Sequence, residues 1–528
     1  MPGLLPGALA LLLIAMLFGS AIAALLRDAS ALDVLALVQE PYLRRVLLFT
    51  VWQATLSTLL SVGLGLMVAR ALARRRFAGR QVLIRLLGLP MVTPAIVAVF
   101  GIVEVFGQQG WLSSLAQLLG WTTWPSLYGL GGILLAHVFF NLPLAVRLLL
   151  PLWQTIPGES WRIASQLGMR SGAIWRLLEW PLLRQALPGV AGLVFMLCFT
   201  SFAVVLTLGG GPAATTLEVA IYQALRFDFE PSRAALLALL QMTICAALAL
   251  SLQRISQVQT VEAGTGIQQL RPDNAGYWGR CLDTLLISIC AAGLLLPLAA
   301  VLWGGLTGPW ASVLADPGLW RASGRSLWVA LSASSLAVAL AWALALSGCE
   351  LRLRRHRPRW ADLLEFSGSL ALAVPALVLG TGLFILLQPH IDVLAAGLWL
   401  VVLVQALLAL PFALRLLAPP LLQSAQRYDR LCASLDIRGW QRWRWVEWPQ
   451  LRRALGLALA LGAALAIGDL GAIALFGVEQ TKTLPLLLYQ RLASYQMEAA
   501  GVTALLLLLL ALLLFAGLEK VIGGTSHD

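Results

Sequence analysis

The stretch EWPLLRQAL runs from Glu179 to Leu187, and EWPQLRRAL runs from Glu447 to Leu455. Seven of the nine letters are the same, and the two copies lie 268 residues apart. Both stand in polar segments of a chain that is 59% hydrophobic and only 12% charged. A polar segment that recurs in this way indicates that the chain is built from two related halves.

The repeat extends well beyond these nine residues. At the same spacing, NLPLAVRLLL at 141–150 faces ALPFALRLLA at 409–418. Earlier in each half, PAIV at Pro94 faces PALV at Pro375. Two halves of the same orientation form a parallel duplication about an axis along the membrane normal. This architecture is typical of a transporter with a central path, although a duplicated structural scaffold would share it.

The hydrophobic composition separates the chain from soluble domains. Apolar runs of about 20 residues, the length that crosses ~30 Å of hydrocarbon as a helix, follow one another along the sequence. Their continuous apolarity favours helices over barrel strands. We therefore predict an all-α integral membrane protein with about twelve transmembrane helices in two parallel six-helix repeats. The predicted spans are residues 4–26, 46–69, 86–106, 127–150, 188–210, 234–252, 281–304, 327–347, 364–387, 396–417, 456–476 and 500–518.

The duplication divides the chain into two six-span halves. The first covers residues 1–256 and has a polar loop at 151–188, between its fourth and fifth spans. The second covers residues 280–528 and has the equivalent loop at 418–456. A polar linker at 257–279 is expected to join the two halves on the cytoplasmic side.

The net charge of +12 could indicate a nucleic-acid partner, but the positions of the charges favour a membrane topology. Most of the 37 Lys and Arg residues fall on the side that holds both termini, in short loops such as RRRFAGR at 74–80 and RLRRHRPR at 352–359. Positive charge orients such loops toward the cytoplasm. We predict a multi-pass protein of the bacterial inner membrane, with both termini cytoplasmic, surrounded by lipid and binding no nucleic acid.

The first span has a second interpretation. AIA at 21–23 resembles the cleavage site of a signal peptide. However, no basic residue precedes the apolar run, and removing this span would leave an odd number of predicted spans. These features favour a retained helix.

The sequence lacks the motifs of common catalytic chemistries. Its two lysines, Lys482 and Lys520, lie outside any G-x-x-x-x-G-K-[ST] loop, and its four histidines form no H-E-x-x-H motif. The six cysteines include no C-x-x-C pair and indicate neither a disulfide framework nor a metal site. We therefore predict no enzyme, no metal and no cofactor bound by this chain. Any ATP hydrolysis that drives transport would occur on another chain.

The loop between the fourth and fifth spans predicts a helix-turn-helix elbow. Ser160 can cap the first helix, Gly168 fits the left-handed position that ends it, and Ser171 can cap the second. In the second copy Asp436 replaces Gly168, and aspartate tolerates this conformation less well. Such an elbow could rest on the membrane interface. It could equally dock a cytoplasmic partner, since two copies about a pseudo-twofold axis suit a symmetric partner.

The elbow resembles the EAA loop of ABC importer permeases that work with a periplasmic binding protein. Residues 164–168 carry the A-x-x-x-G pattern, and residues 187–188 carry its LP ending. The sequence departs from the family pattern in three ways. The position of the Glu that opens the EAA pattern is occupied by Arg162 in the first half and by Arg430 in the second. The second half has also lost the glycine, and Gly456 stands in place of the proline.

This resemblance implies that the elbows contact two copies of a cytoplasmic ABC ATPase subunit, which would bind ATP and Mg. The residues that it places in these coupling loops are Ala164, Gly168, Arg170, Glu179, Arg184, Asp436, Arg438, Glu447 and Arg452.

Nearly the whole chain is similar to the fused permeases of bacterial thiamine and thiamine pyrophosphate importers. The stretches that carry this similarity are RRRFAGR, VAVFGI, GLGGILLAHVFFNLP, SQLGMRS, EWPLLRQ, FMLCF, LGGGPAATTLEVAIYQAL and AIGDLGAIALFG. The similarity implies import of thiamine and its phosphates from periplasm to cytoplasm by alternating access, with a periplasmic thiamine-binding protein as partner. Ferric iron permeases of the same build make iron the alternative cargo. A secondary transporter of the major facilitator type is a weaker alternative, because that architecture has no duplicated elbow.

Polar residues within the spans are costly in a membrane and often mark a path. His137 lies four residues before Asn141, on the same helix face, and its repeat partner is Gln405. Asp469 aligns with Ser201 and would place one acid where the halves meet. These five residues are the candidates for the translocation path. Buried hydrogen bonding is the structural alternative for each of them.

Overall fold

The computed structural model describes residues 4–29, 40–255, 276–370, 374–437 and 439–524. Within these ranges the chain is helical and contains no β-strand, which confirms the predicted all-α class. Most of the predicted linker and Arg438 lie outside the described residues.

The described part of the first half contains twelve α-helices, some of them only one or two turns long. These are α1 (Leu5–Ala29), α2 (Pro41–Arg74), α3 (Arg80–Leu86), α4 (Ala95–Phe106), α5 (Trp111–Leu118), α6 (Leu130–Leu149), α7 (Gly158–Gln166), α8 (Ser171–Ile174), α9 (Trp180–Phe199), α10 (Ala203–Leu208), α11 (Leu217–Arg226) and α12 (Pro231–Ile255).

The described part of the second half repeats this order with small changes. Its helices are α13 (Tyr277–Thr307), α14 (Trp310–Ala315), α15 (Pro317–Cys349), α16 (Pro358–Ser369), α17 (Ala376–Leu387), α18 (Gly397–Ser434), α19 (Gly439–Arg442), α20 (Trp448–Gly468), α21 (Gly471–Phe476), α22 (Leu484–Ala493) and α23 (Met497–Gly523). Helix α13 begins at Tyr277, inside the predicted linker.

Among the described residues, eleven helical segments are long and apolar enough to cross a membrane. They overlap eleven of the predicted spans, but the segments Ser171–Phe199 and Gly439–Gly468 begin and end well before the predicted spans 188–210 and 456–476. The ninth predicted span, 364–387, is instead divided between α16 and the shorter apolar helix α17. Pro375 stands at the N-cap of α17 with an extended backbone, and a proline suits a helix start because the N–H that it lacks would have no partner within the helix. The equivalent Pro94 starts α4 nine residues later than the sequence pattern predicted for the third span.

The two halves interlock through their first helices. Helix α1 packs against α15 and α17 of the second half, while α13 packs against α2 and α4 of the first. Gly101 of α4 lies so close to α13 that an added Cβ would overlap the Pro297 carbonyl. An added Cβ at Gly382 of α17, its repeat equivalent, would likewise overlap the Ala21 carbonyl of α1. The absence of a side chain at these two glycines permits the close approach of the halves.

Each half has a packed centre of three long helices. In the first half α2 packs against α6 and α9, and in the second half α15 packs against α18 and α20. The fifth span of each half breaks near one end. Helix α9 stops at Phe199 before α10 begins at Ala203, and α20 stops at Gly468 before α21 begins at Gly471. The sequence analysis predicted continuous spans here and missed both breaks.

Candidate coupling elbows and central polar residues

The first elbow is a short helix, a left-handed turn and a second helix, as predicted. Gly168 has a φ of +60°. The Met169 amide donates to the Ala164 carbonyl at 2.9 Å, which closes the turn. Beneath the turn, Ala164 packs with the buried side chains of Trp161 and Ile174. Ala164 therefore stabilises the elbow from inside and is not part of its outer surface.

Both predicted caps of this elbow are wrong. Pro157 occupies the N-cap of α7, so Ser160 lies within the first turn. Proline lacks an N–H and has a fixed φ, so the helix starts directly after it. Ser171 is the first residue of α8, and its hydroxyl oxygen accepts a hydrogen bond from Arg70 of α2 at 3.2 Å.

Glu179 fixes the elbow to the membrane bundle. Its side chain is fully buried, and its carboxylate accepts hydrogen bonds from Arg70 Nε at 2.7 Å and from Trp153 Nε1 at 2.9 Å. The Arg70 guanidinium also lies 4.7 Å from the centre of the Trp175 ring. Glu179 was predicted to contact a partner, but its burial gives it a positioning role instead.

A second ion pair links the end of α2 to the other half. The buried carboxylate of Asp283 in α13 accepts from Arg74 at 2.5 Å and from Arg75 at 2.7 Å. Sequence analysis missed this pair because more than 200 residues separate the partners. Since Arg70 and Arg74 lie one turn apart on α2, the first elbow and the second half are held by the same helix end.

The second elbow is built differently. Its first helix is the last part of α18, because Ala425 stands where the first half has the helix-starting Pro157. Asp436 takes the predicted left-handed turn with a φ of +51°. Glu447 accepts from Arg442 Nε at 2.7 Å, and Arg442 also pairs with Asp429 at 2.6 Å. Glu447 thus bonds within the elbow and does not repeat the direct link of Glu179 to the bundle. The second elbow reaches the bundle through Asp429 instead, which also lies 3.8 Å from Arg354, just after α15.

The outer surface of each elbow carries a matched apolar pair. Ile163 and Leu167 are 55% and 68% exposed, and Leu431 and Leu435, at the same positions of the repeat, are 52% and 60% exposed. The predicted coupling residues Arg170, Arg184 and Arg452 are exposed as well. Sequence analysis missed Leu431 and Leu435, although their spacing of four residues in a helix would have placed them on one face.

The candidate path residues separate into two groups. Asp469 lies at the break between α20 and α21, where its carboxylate accepts from Gln405 Nε2 at 2.5 Å and from the Ala472 amide at 2.9 Å. Of their repeat equivalents, Ser201 is half-buried at the first-half break, and His137 is buried beside Ser57 of α2. The structure therefore brings Gln405 and Asp469 together at a helix break.

His137 and Asn141 hold helices together. His137 Nδ1 lies 2.9 Å from the Ser57 hydroxyl of α2, and Asn141 Nδ2 donates to the sulfur of Cys198 in α9 at 3.3 Å. Both side chains are buried. Their contacts fit the structural alternative, in which polar side chains tie α6 to its two neighbours.

Two further polar residues of α11 were missed because this short helix looked like part of an external loop. The buried Glu218 accepts from Gln241 Nε2 of α12 at 2.6 Å. Arg226 donates to the Gly477 carbonyl at 2.8 Å, which joins the first half to the second beyond the break after α20.

A duplicated all-α membrane bundle with an elbow in each half defines the class of the protein: it is a membrane permease of the ABC importer type. No model of a protein family matches the chain. It is 48% identical over 526 residues to the thiamine transport system permease protein ThiP of Escherichia coli (strain K12), covering 99% of this chain and 97% of that protein. The chain belongs to the family of thiamine transport system permease proteins, and it is a multi-pass inner-membrane protein.

Other relatives agree with this assignment. ThiP of Brucella abortus (strain 2308) is 44% identical over 517 residues, covering 97% of this chain and 94% of the relative. ThiP of Haemophilus influenzae (strain ATCC 51907 / DSM 11121 / KW20 / Rd) is 40% identical over 513 residues, with the same coverage. The molybdenum transport system permease protein ModB of Mycobacterium bovis (strain ATCC BAA-935 / AF2122/97) is 30% identical over 214 residues, 40% of this chain and 79% of ModB. These relatives do not favour the ferric iron or major facilitator alternatives.

Proposed function

We propose that this chain moves thiamine and its phosphates from periplasm to cytoplasm by alternating access, driven by ATP hydrolysis on a separate ABC ATPase. The assignment of thiamine as the substrate rests on the full-length similarity to thiamine transport permeases, at 48% identity over 99% of the chain. A periplasmic thiamine-binding protein delivers the substrate. ATP and Mg are held by the ATPase, and this chain itself binds no cofactor or metal.

The two elbows each dock one ATPase subunit on the cytoplasmic side, where both termini also lie. The exposed pairs Ile163 with Leu167 and Leu431 with Leu435 support this proposal, because apolar side chains that protrude from a polar elbow favour a covered position. The exposed arginines around them provide the polar rim that protein interfaces commonly have.

The first elbow transmits ATPase movement more directly than the second. Glu179 joins it to Arg70 of α2, and Asp283 joins the end of the same helix to the second half. In the second elbow Glu447 is bound by Arg442 within the elbow itself. The Glu179 carboxylate is fully buried whereas that of Glu447 keeps 13% of its exposure, and breaking a fully buried pair costs more because it leaves an uncompensated charge.

Asp469 and Gln405 are the best-supported path residues. They lie at a helix break, where irregular backbone is tolerated in a membrane protein only if protein or a cavity surrounds it. A carboxylate there attracts the cationic ring of thiamine. His137 and Asn141 tie α6 to its neighbours in the first half, and Ser201 lies at the break between α9 and α10.

Uptake of labelled thiamine tests this function. The permease is expressed with its ATPase and binding protein in cells that lack their own thiamine importer, and ferric iron uptake is the control. We expect thiamine uptake that disappears when the ATPase is omitted. Iron uptake without thiamine uptake would overturn the substrate, and thiamine uptake that persists without the ATPase would overturn the energy source.

A further inference from the structure

Helix α11 carries a buried carboxyl group that the proposed transport cycle does not use. Glu218 is only 2% exposed, and among the described residues only Gln241 of α12 donates a hydrogen bond to it, at 2.6 Å. The amide of the neighbouring Leu217 donates instead to the Thr50 hydroxyl of α2 at 3.0 Å. Within the same described ranges Glu218 forms no ion pair with an arginine or a lysine. An ionised carboxylate with one neutral donor and no cation is costly to bury.

The hydrogen bonding of Gln241 indicates how this cost is avoided. The Gln241 side chain is fully buried, and its Oε1 has no hydrogen-bond donor among the described residues. A protonated Glu218 would be the missing donor, because one of its oxygens can donate to Gln241 Oε1 while the other accepts from Gln241 Nε2. The two side chains would then form a neutral acid–amide pair, which satisfies the buried oxygen of the amide.

The helices packed against α11 place no cation beside Glu218 in the part of the chain that the structure describes. These helices are α12, α17 and α2. From α12, Cys245 faces Glu218, while Arg233 is held in an ion pair at the helix start. From α2, Tyr42 lies beside Thr215, and the arginines near the start of this helix are exposed. Helix α17 contains no titratable residue.

Asp469 of the second half is a second acid close to Glu218, and its surroundings are different. Asp469 is partly exposed, and its carboxylate accepts from Gln405 and from the Ala472 amide. Burial, opposed by the hydrogen bond from Gln241 and aided by the charge of Asp469, raises the pKa of Glu218 to about 8. Two neighbouring acids in such different environments favour opposite protonation states at neutral pH, with the proton on Glu218.

Helix α11 also joins the two halves at the end of the bundle away from the elbows. It follows the membrane-spanning segment Ser171–Phe199, which starts in the first elbow. Arg226, the last residue of α11, donates to the Gly477 carbonyl of the second half at 2.8 Å. In the second half, Pro485 stands at the position equivalent to Glu218. A change at Glu218 therefore acts on a contact between the halves from one side only.

We propose that Glu218 and Gln241 form a proton-binding site, and that the bound proton holds α11 in the position that closes the path on the side away from the elbows. Loss of the proton leaves a buried carboxylate, which draws water between α11 and α12 and weakens the contact of Arg226 with Gly477. The proton passes to this water and returns from it. The proton site itself is independent of the substrate, whereas its effect on uptake rests on the proposed function.

Infrared spectroscopy of the purified full-length permease tests for the proton without any substrate. We expect the wild type at mildly acidic pH to show the C=O stretching band of a protonated carboxyl group, and to lose this band with a midpoint of about pH 8. Glu218→Gln should lack the band, and Glu498→Gln, at an exposed position, is the control that should keep it. Identical spectra for the wild type and Glu218→Gln would show that Glu218 holds no proton and would overturn the proposal.

The pH profile of ATP-driven thiamine uptake tests what the proton does, in proteoliposomes that contain the permease, its ATPase and the binding protein. Glutamine has the shape of a neutral glutamic acid and can bond to Gln241 in the same way, so Glu218→Gln should match the wild type at mildly acidic pH. At about one pH unit above the pKa of Glu218 the wild type should be about tenfold slower than the variant, because about ten carboxyl groups are then ionised for each protonated one.

Two outcomes of the uptake measurement would overturn the role of the proton. One is loss of uptake in Glu218→Gln at mildly acidic pH, where the wild type is neutral at this position as well. The other is an identical pH profile in the two proteins. Absence of uptake in the wild type itself would contradict the proposed transport function instead, and the infrared band would still decide whether Glu218 binds a proton.

Discussion

Single residues fix the elbows in place, and Glu179 has the largest part in this. Its buried carboxylate satisfies Arg70 and Trp153 together. Replacing one partner of a buried charged pair leaves the other charge uncompensated. We therefore expect Glu179→Gln to lower the free energy of unfolding by about 2–3 kcal/mol, measured by thermal unfolding in detergent, and to reduce ATPase co-purification.

Glu447→Gln is the matched control for this prediction. Arg442 keeps its ion pair with Asp429 when Glu447 is neutralised, so the effect should be smaller. Equal losses in the two variants would contradict the distinction between Glu179, which bonds directly to the bundle, and Glu447, which bonds to Arg442 within its own elbow.

Gly168 tests the left-handed turn of the first elbow. An added Cβ at Gly168 meets no atom within 4 Å, so Gly168→Val acts only through the backbone conformation. A φ of +60° costs an L-residue about 1–2 kcal/mol. We expect ATPase co-purification to fall in Gly168→Val and to fall less in Asp436→Ala. Gly172→Val is the control, since Gly172 has equally open surroundings without a left-handed φ; a similar fall there would exclude backbone strain as the cause.

Asp469 combines two roles that substitution can separate. Asp469→Asn retains an acceptor for the Ala472 amide but removes the charge, so we expect a normal protein level with reduced thiamine uptake. Asp469→Ala also removes the acceptor at the start of α21, at a cost of about 1 kcal/mol. Wild-type uptake by Asp469→Asn would show that the charge has no role in the path.

At the scale of helices, glycine positions decide how closely the two halves approach. Gly101→Val and Gly382→Val would each force a side chain into the backbone of the opposite half. Overpacking of this kind costs about 1–3 kcal/mol, which should lower the thermal unfolding midpoint of the purified permease. Gly63→Val is the control, because an added Cβ at Gly63 meets no atom within 4 Å. Unchanged midpoints in both test variants would argue against this packing.

The positions of helices and turns could be predicted from the sequence where a single local property determines them. Apolar length identified most spans, and the need for a left-handed residue identified the turns at Gly168 and Asp436. Helix ends were predicted less well, because Pro94, Pro157 and Pro375 start helices at points that hydrophobicity does not mark. The breaks beside Ser201 and Asp469 were missed for the same reason, since the sequence stays apolar through them.

At the scale of the whole molecule, the repeat is symmetric in its helices and asymmetric in its polar contacts. Both first helices cross to the opposite half. The contacts near the N-terminal ends of these two helices differ, however. Asp283 of α13 binds two arginines, whereas the Gly7 amide of α1 donates to the Ser347 hydroxyl at 3.0 Å. Sequence alone could predict the duplication but not the crossing or its ion pair, because both depend on contacts between distant segments.

The orientation of this duplicated bundle in the membrane is the last property that can be tested. The distribution of Lys and Arg predicts that both elbows are cytoplasmic. Gln166 and Gln441 are exposed positions on the two elbows, better suited to a cysteine probe than Ser171, which bonds to Arg70, or Gly439, which has a φ of +54°. On a background without the native cysteines, Gln166→Cys and Gln441→Cys should be shielded from a membrane-impermeant thiol reagent in intact cells. Thr122→Cys, exposed in the loop between the third and fourth spans, should react, because one further membrane crossing separates it from the first elbow. Labelling of the elbow positions with protection of Thr122→Cys would invert the topology and place the elbows beyond the reach of a cytoplasmic ATPase.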